Sequence, residues 1–166
     1  INMKSYIFNG PIELEPITKL NEFLNENPGS TVYFSSEGGD VYLLQPMLEI
    51  LKQNCGELVA IGEIGSVAFK MFFLSECSKR MTSEVIGVSH SIGQRLRMTP
   101  FGNASGEDGE FFYKNLLKEK ENEIKFCRWV GMNLDEIVKF KELKDVYFTN
   151  KRMHELLKHT KKSKPL

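Results

Sequence analysis

The sequence predicts an α/β fold in which short buried strands alternate with amphipathic helices and pair largely in parallel. Short apolar runs, each closed by a glycine-containing turn, alternate with helical patterns at a period of roughly 30 residues. The segment from Val59 to Leu74 shows this unit most clearly. It reads as a buried strand, a sharp turn and a helix that begins at Ser66. We expect the rest of the chain to be built around it.

The length and charge of the chain limit the classes of function. At 166 residues, the chain is predicted to form one domain over residues 1–158, followed by a basic, disordered tail over 159–166. The 22 basic and 22 acidic residues balance, so no global field attracts nucleic acid or anionic lipid. Since no apolar run approaches the roughly 18 residues that a membrane span needs, we predict no membrane insertion. Peptides or small molecules are the expected partners.

The three cysteines are Cys55, Cys77 and Cys127. Their number is odd, and they lack the paired spacing of a zinc site or a redox motif. We therefore predict reduced, mostly buried thiols, no metal and a cytoplasmic location, because an oxidising compartment would tend to couple stray thiols.

Two strand and helix pairs are predicted in the first third of the chain. Apolar residues at three- and four-residue spacing mark both helices, and Gly10-Pro11 and Asn27-Pro28-Gly29 act as stop signals. The predicted elements are a strand over 5–9, a helix between Pro16 and Asn27, a strand over 31–35 and a helix that starts near Val41 and ends near Asn54-Cys55-Gly56.

The remaining elements continue the alternation and then give way to helices. The second of two short strands delivers His90 at its carboxyl end, where ligands gather in such sheets. The first of two later helices carries more apolar residues than a solvated helix needs, which predicts a subunit interface. The predicted elements are strands over 58–61, 79–82 and 85–89, a helix over 66–76, a mobile loop over 91–109, and helices over 110–130 and from Asn133 to Lys141.

A set of polar residues and glycines follows the predicted strands. Gly38-Gly39, Ser66 and His90 come after successive strands, and Asp145 lies in a short loop after the two helices. Acyl transfer needs a hydroxyl, a base, a carboxylate that orients the base and two donors for the oxyanion. Taken singly, each residue has a simpler interpretation, since a serine at a helix start more often caps the helix. Lys70, four residues after Ser66, leaves a Ser-Lys dyad as an alternative.

These residues lie in motifs that resemble the proteolytic subunit of the Clp protease, a ClpP-like serine peptidase with a crotonase-like fold. The resemblance implies a spiral of repeated β-β-α units in a single domain with a long protruding helix. It is carried by Ser36–Val41, Gly62–Ala68, Lys79-Arg80, the strand into His90, and Lys144–Thr149.

The resemblance also implies a role for each site residue and no cofactor. Glycines at the turn would let a substrate backbone approach, and a peptide could bind there as an added strand. The implied roles are Ser66 as nucleophile, His90 as general base, Asp145 as its orienting carboxylate, Gly39 and Val67 as backbone oxyanion donors, and Gly38, Asp40 and Val41 as contacts to the substrate strand.

By this resemblance the chain is a serine endopeptidase that cleaves unfolded polypeptides or short peptides inside a self-assembled chamber. The implied assembly is a homo-oligomer of two heptameric rings stacked face to face, with an AAA+ unfoldase as a possible partner. Departures from the family pattern around Ser66 and His90 leave an alternative open, a catalytically silent subunit that assembles with an active homologue. The fold also hosts acyl-CoA hydratases and isomerases, but the sequence shows no paired Glu placed for that chemistry.

Overall fold

The computed structural model describes the backbone of residues 4–91 and 107–166, with the side chains of these ranges except those of 107–113 and 116. Most of the loop predicted over 91–109 therefore lies outside the described residues. Within the described residues, every helix is too short or too polar to cross a bilayer.

The described residues form six strands and six α-helices. In chain order, they are β1 (Ser5–Asn9), α1 (Leu14–Glu26), β2 (Ser30–Ser36), a 3-10 turn (Val41–Leu43), α2 (Leu44–Asn54), β3 (Cys55–Gly65), α3 (Val67–Leu74), β4 (Ser78–Met81), β5 (Ile86–Ser89), α4 (Glu107–Val130), α5 (Leu134–Lys141), β6 (Val146–Phe148) and α6 (Asn150–Lys162).

The six strands form one sheet. Its order is β1-β2-β3-β5-β6, and β4 also pairs with β3. The pairs β1–β2, β2–β3, β3–β4 and β3–β5 are all parallel, which confirms the predicted α/β class and strand direction. The first half of β3 pairs with β4 at residues 57–60, and its second half pairs with β5 at residues 63–65. Both β4 and β5 are thus paired with β3, each along a different half of that strand.

β3 is much longer than predicted, and its glycines explain the difference. We predicted a strand over 58–61, because Gly56 and Gly62 were interpreted as turn residues. A Cβ at Gly56 would lie 2.3 Å from the carbonyl oxygen of Gly29, and one at Gly62 would lie 2.7 Å from Ser35 Oγ. Glycine occurs at these two positions because a neighbouring segment of the chain comes so close that it leaves no room for a side chain.

The chain divides into two compact units, one of residues 1–88 with 147–157 and the other of residues 89–146 with 158–166. The first unit holds most of the sheet and α3, whose residues are nearly all buried. Phe69 of α3 stacks on Phe148 with ring centroids 5.2 Å apart. The predicted domain bounds stay a prediction.

In the second unit, α5 begins as the sequence predicted. Asn133 Oδ1 accepts a hydrogen bond from the Glu136 N–H at 2.9 Å, and Glu136 Oε1 accepts one from the Asn133 N–H at 2.9 Å. This capping box satisfies two N–H groups that the helix start would otherwise leave without partners. The predicted start of this helix at Asn133 is confirmed.

The prediction of a disordered tail from His159 onwards is wrong as far as Lys162, because α6 continues to that residue. Thr160 is buried, although its neighbours in sequence are polar. Beyond the helix, the Lys164 carbonyl accepts a hydrogen bond from Trp129 Nε1 at 2.8 Å. The helix was not predicted because its residues are mostly polar. In its last turn, only Thr160 is buried.

Candidate active site

Ser66 lies at the turn between β3 and α3 with an unusual backbone. Its φ is 54° and its ψ is −128°, and Leu143 is the only other non-glycine residue with a positive φ among the described residues. A residue with a side chain in such a conformation is strained by about 1–3 kcal/mol. Two backbone bonds hold it there, from Ser66 N–H to the Val88 carbonyl at 2.9 Å and from Phe69 N–H to the Ser66 carbonyl at 3.1 Å.

The Ser66 side chain does not cap α3. The simpler interpretation of this serine, as a helix cap, is therefore wrong. Because Ser66 directly precedes α3, it lies beside the N–H groups of the first helical turn and the positive end of the helix dipole. Negative charge that develops on an atom near this turn would be stabilised.

Gly38 lies against Ser66. A Cβ built on Gly38 would be 2.6 Å from Ser66 Cβ and 3.2 Å from Ser66 Oγ, and the φ of Gly38 is +114°. The Gly38 N–H donates to the buried Ser36 Oγ at 3.2 Å, which fixes the turn after β2. We predicted a role for Gly38 in holding a substrate strand, but not its approach to Ser66.

Gly39 lies against a different segment. A Cβ built on Gly39 would be 2.3 Å from the Ile12 carbonyl oxygen, and the two residues form a parallel bridge. Hydrogen bonds flank this bridge, from Ile12 N–H to the Gly38 carbonyl at 2.8 Å and from Asp40 N–H to the Ile12 carbonyl at 2.9 Å. Backbone hydrogen bonds thus hold the turn at Gly38 and Gly39 against Ile12. The predicted role of Gly39 as an oxyanion donor stays a prediction.

Asp40 and Val41, predicted to contact a substrate strand, take part in the start of the next helical segment. Asp40 Oδ1 accepts a hydrogen bond from the Tyr42 N–H at 2.9 Å, and Val41 begins the 3-10 turn. The backbone N–H of Asp40 is thus bonded to the Ile12 carbonyl, and one of its carboxylate oxygens is bonded to the Tyr42 N–H. Their predicted contacts with a substrate stay predictions.

His90 and Asp145 meet in the second unit. His90 Nδ1 lies 3.5 Å from Asp145 Oδ1, and the side chains are 30% and 39% exposed. This distance is longer than an ordinary N–H···O hydrogen bond, and the contact becomes an ion pair when the His90 imidazole is protonated. The Nδ1 atom of the His90 ring thus faces the Asp145 carboxylate.

The chain just after His90 is anchored by a buried pair. Ser91 Oγ donates to Glu123 Oε2 at 2.9 Å, and both residues are less than a tenth exposed. Glu123 belongs to α4, so this bond ties the residue that follows His90 to a helix of the same unit. This contact could not be predicted from the sequence, because 32 residues separate the two side chains.

Comparison with known proteins gives a structural match and no sequence match. No protein-family model and no curated protein matches this sequence. Among solved structures, a variant of ClpP1 from Listeria monocytogenes matches with a TM-score of 0.65 and 14% sequence identity, over 93% of this chain and 88% of that chain. At this identity the likeness establishes the fold. The chain has a ClpP-like α/β fold, as the sequence motifs predicted.

Proposed function

We propose that this chain is a serine endopeptidase that cleaves unfolded polypeptides or short peptides through an acyl-enzyme on Ser66. The observation that carries the proposal is the backbone of Ser66, which is strained at a strand-to-helix turn although its side chain does not cap the helix. Backbone strain of this kind clusters at functional sites. In hydrolases, a sharp turn of this type between a strand and a helix presents a nucleophilic serine.

In the proposed reaction, Ser66 Oγ attacks the scissile carbonyl carbon while His90 Nε2 takes the hydroxyl proton. Asp145 keeps the His90 ring in the required tautomer and stabilises its protonated form, as the contact between His90 Nδ1 and Asp145 Oδ1 supports. Protonated His90 then gives the proton to the leaving amine. Water, activated by the same imidazole, hydrolyses the acyl-enzyme and restores Ser66.

The tetrahedral intermediate carries a negative oxygen that needs backbone donors. The Val67 N–H, at the start of α3, is one proposed donor, and the helix dipole there adds to its effect. The second proposed donor is the Gly39 N–H, within the turn that places Gly38 against Ser66. Each such donor is typically worth a factor of about 10²–10³ in turnover.

The substrate would bind as an extended strand, with backbone hydrogen bonds providing most of the affinity. The residues proposed for this contact are Gly38, Asp40 and Val41, which lie in the turn after β2 and at the start of the 3-10 turn. Main-chain recognition is tolerant of side-chain identity, so we propose broad selectivity. No organic cofactor or metal takes part in the proposed chemistry.

Labelling with a fluorophosphonate probe tests the proposal directly. The probe should phosphonylate Ser66 of the wild-type protein, because an activated serine hydroxyl attacks phosphorus and expels fluoride. Peptide mapping by mass spectrometry should place the adduct on Ser66, and Ser66→Ala should remain unlabelled. The matched control is Ser35→Ala, since Ser35 lies in β2, where its Oγ donates to the Glu63 carbonyl at 3.3 Å; this variant should label like the wild type.

A second candidate is a catalytically silent subunit that assembles with an active homologue. The departures from the family pattern around Ser66 and His90, among them Gly65 and Ser91-Ile92, favour it. Such a subunit would assemble but leave Ser66 unlabelled. A folded, assembled protein that fails to react with the probe would support this candidate over the peptidase.

Self-assembly into rings, proposed as two stacked heptamers, makes a separate prediction. In the second unit, Leu117, Leu134 and Val138 are 43%, 75% and 42% exposed, and apolar exposure of this kind favours association. Sedimentation should therefore give a mass many times the 19.1 kDa of one chain. Leu134→Asp should weaken assembly without disturbing α5, because an acidic residue suits the first turn of a helix.

The control for assembly is Leu166→Asp, which makes the same change at an exposed leucine at the chain end. This variant should assemble like the wild type. A wild-type protein that sediments as a single chain at micromolar concentration would contradict the ring. An AAA+ unfoldase that delivers substrates to such a ring stays a further proposal.

A further inference from the structure

Two of the three cysteines are neighbours at one end of the sheet. Cys55 opens β3, and Cys77 directly precedes β4, whose parallel pairing with β3 begins at Glu57 and Ser78. Both cysteines are half-buried free thiols, whereas Cys127 is fully buried. The prediction of mostly buried thiols is therefore correct only for Cys127. The sequence hid this pair, because it depends on the pairing of two strands.

The two thiols lie at the adjacent starts of β3 and β4, close enough to affect each other's pKa, and Cys55 Sγ donates a hydrogen bond to the Glu57 carbonyl at 3.3 Å. The interaction with Cys55, and then the hydroxyl of Ser75 and the charge of Lys79, lower the pKa of Cys77 to about 7 against the opposing effect of burial. The contact with Cys77 and burial raise the pKa of Cys55 well above its usual range. At pH 7, about half of Cys77 is thus present as the nucleophilic thiolate, while Cys55 keeps its proton.

We propose that Cys55 and Cys77 form a reversible oxidation site that reacts with low-molecular-weight disulfides such as oxidised glutathione. The Cys77 thiolate attacks one sulfur of the small disulfide, whose S–S bond breaks and releases one small thiolate. Cys55 then gives up its proton to solvent and attacks Cys77 Sγ in the mixed disulfide, and the second small thiol leaves. The protein dithiol is oxidised by two electrons, and the small disulfide is reduced to two thiols.

The bond between Cys55 and Cys77 would close the segment that contains β3, Ser66 and α3. A cross-link that closes a loop restricts the unfolded chain and so favours the folded state. We therefore expect the oxidised protein to unfold at a higher temperature than the reduced protein. This readout does not depend on whether Ser66 is a nucleophile, so the oxidation site and the proposed peptidase can fail separately.

Intact-mass measurement after incubation with oxidised glutathione tests the proposal. The wild type should lose two hydrogens and carry no glutathionyl group, because Cys55 resolves the mixed disulfide. Cys55→Ser should retain one glutathionyl group on Cys77, and Cys77→Ser should gain none. Cys127→Ser is the matched control and should behave like the wild type. A wild-type protein that keeps a stable glutathionyl group, or all three free thiols, would overturn the proposal.

Alkylation of the reduced protein by limiting iodoacetamide provides an independent measurement. Cys77 should react at least about tenfold faster than Cys55 at neutral pH, because the thiolate is the reactive form. The rate at Cys77 should rise with pH to a plateau with a midpoint near pH 7, following the pKa of about 7. Equal rates at the two cysteines would show that the pair is not differentiated and would also overturn the proposal.

Discussion

Ser66→Ala should lower peptide turnover by several orders of magnitude, and His90→Ala should lower it by a similar factor. If the two side chains act as one unit, the double variant should be hardly slower than either single variant, because removing the base has no effect once its nucleophile is absent. Asp145→Asn should lower turnover by about 10⁴-fold, since the imidazole would lose its tautomer and the support for its charge. Initial rates with fluorogenic peptides measure all four variants.

The control is Lys70→Ala, which removes a half-buried side chain four residues after Ser66 in α3. This variant distinguishes the Ser-His-Asp arrangement from a Ser-Lys dyad. In the proposed mechanism, Lys70→Ala should retain most of the peptidase activity. In a Ser-Lys dyad, Lys70→Ala would lower the activity as much as Ser66→Ala does. A clean preparation of Ser66→Ala that keeps a tenth of the wild-type rate would contradict the proposed nucleophile.

The sequence predicted most elements of the fold because hydrophobic periodicity is a local property. β1 spans the residues predicted for it, and the parallel sheet follows from the alternation of strands and helices. β3 shows the limit of this reasoning. Gly56 and Gly62 carry the same signal whether they break a strand or allow another segment to approach it, and only the tertiary fold distinguishes the two. β6 and α6 were missed, since the first is only three residues long and the second is mostly polar.

The candidate site, like the fold, was predicted only in part from the sequence. The approach of His90 to Asp145 was predicted from motif resemblance, and the structure brings their side chains together at 3.5 Å. The positive φ of Ser66 could not be predicted, because its surroundings, including the bond from its N–H to the Val88 carbonyl in a different strand, form only in the fold. The distinct contacts of Gly38 and Gly39 were likewise hidden. Two adjacent glycines are equivalent in sequence, and only their neighbours in the fold make them different.

Gly38→Ala should lower peptide turnover by at least about 10²-fold, because a displacement of about 1 Å at the reacting group can have an effect of that size. The new Cβ would lie 2.6 Å from Ser66 Cβ and would force the serine out of position. Gly39→Ala should act first on folding, since its Cβ would lie 2.3 Å from the Ile12 carbonyl oxygen and would break the backbone bridge. Denaturant unfolding and peptide turnover, measured on both variants, separate the two effects.

Gly10→Ala is the matched control for these substitutions. Its φ is +155°, but a Cβ there would have no atom within 4 Å, so this variant measures backbone strain without a steric clash. Positive φ at an alanine costs about 1–3 kcal/mol, and Gly10→Ala should lose that much unfolding free energy while keeping its turnover once folded. Gly38→Ala should lose turnover in excess of this control, even at temperatures where it is fully folded. If folded Gly38→Ala turned over peptides at half the wild-type rate, contact with Gly38 would not be what positions Ser66.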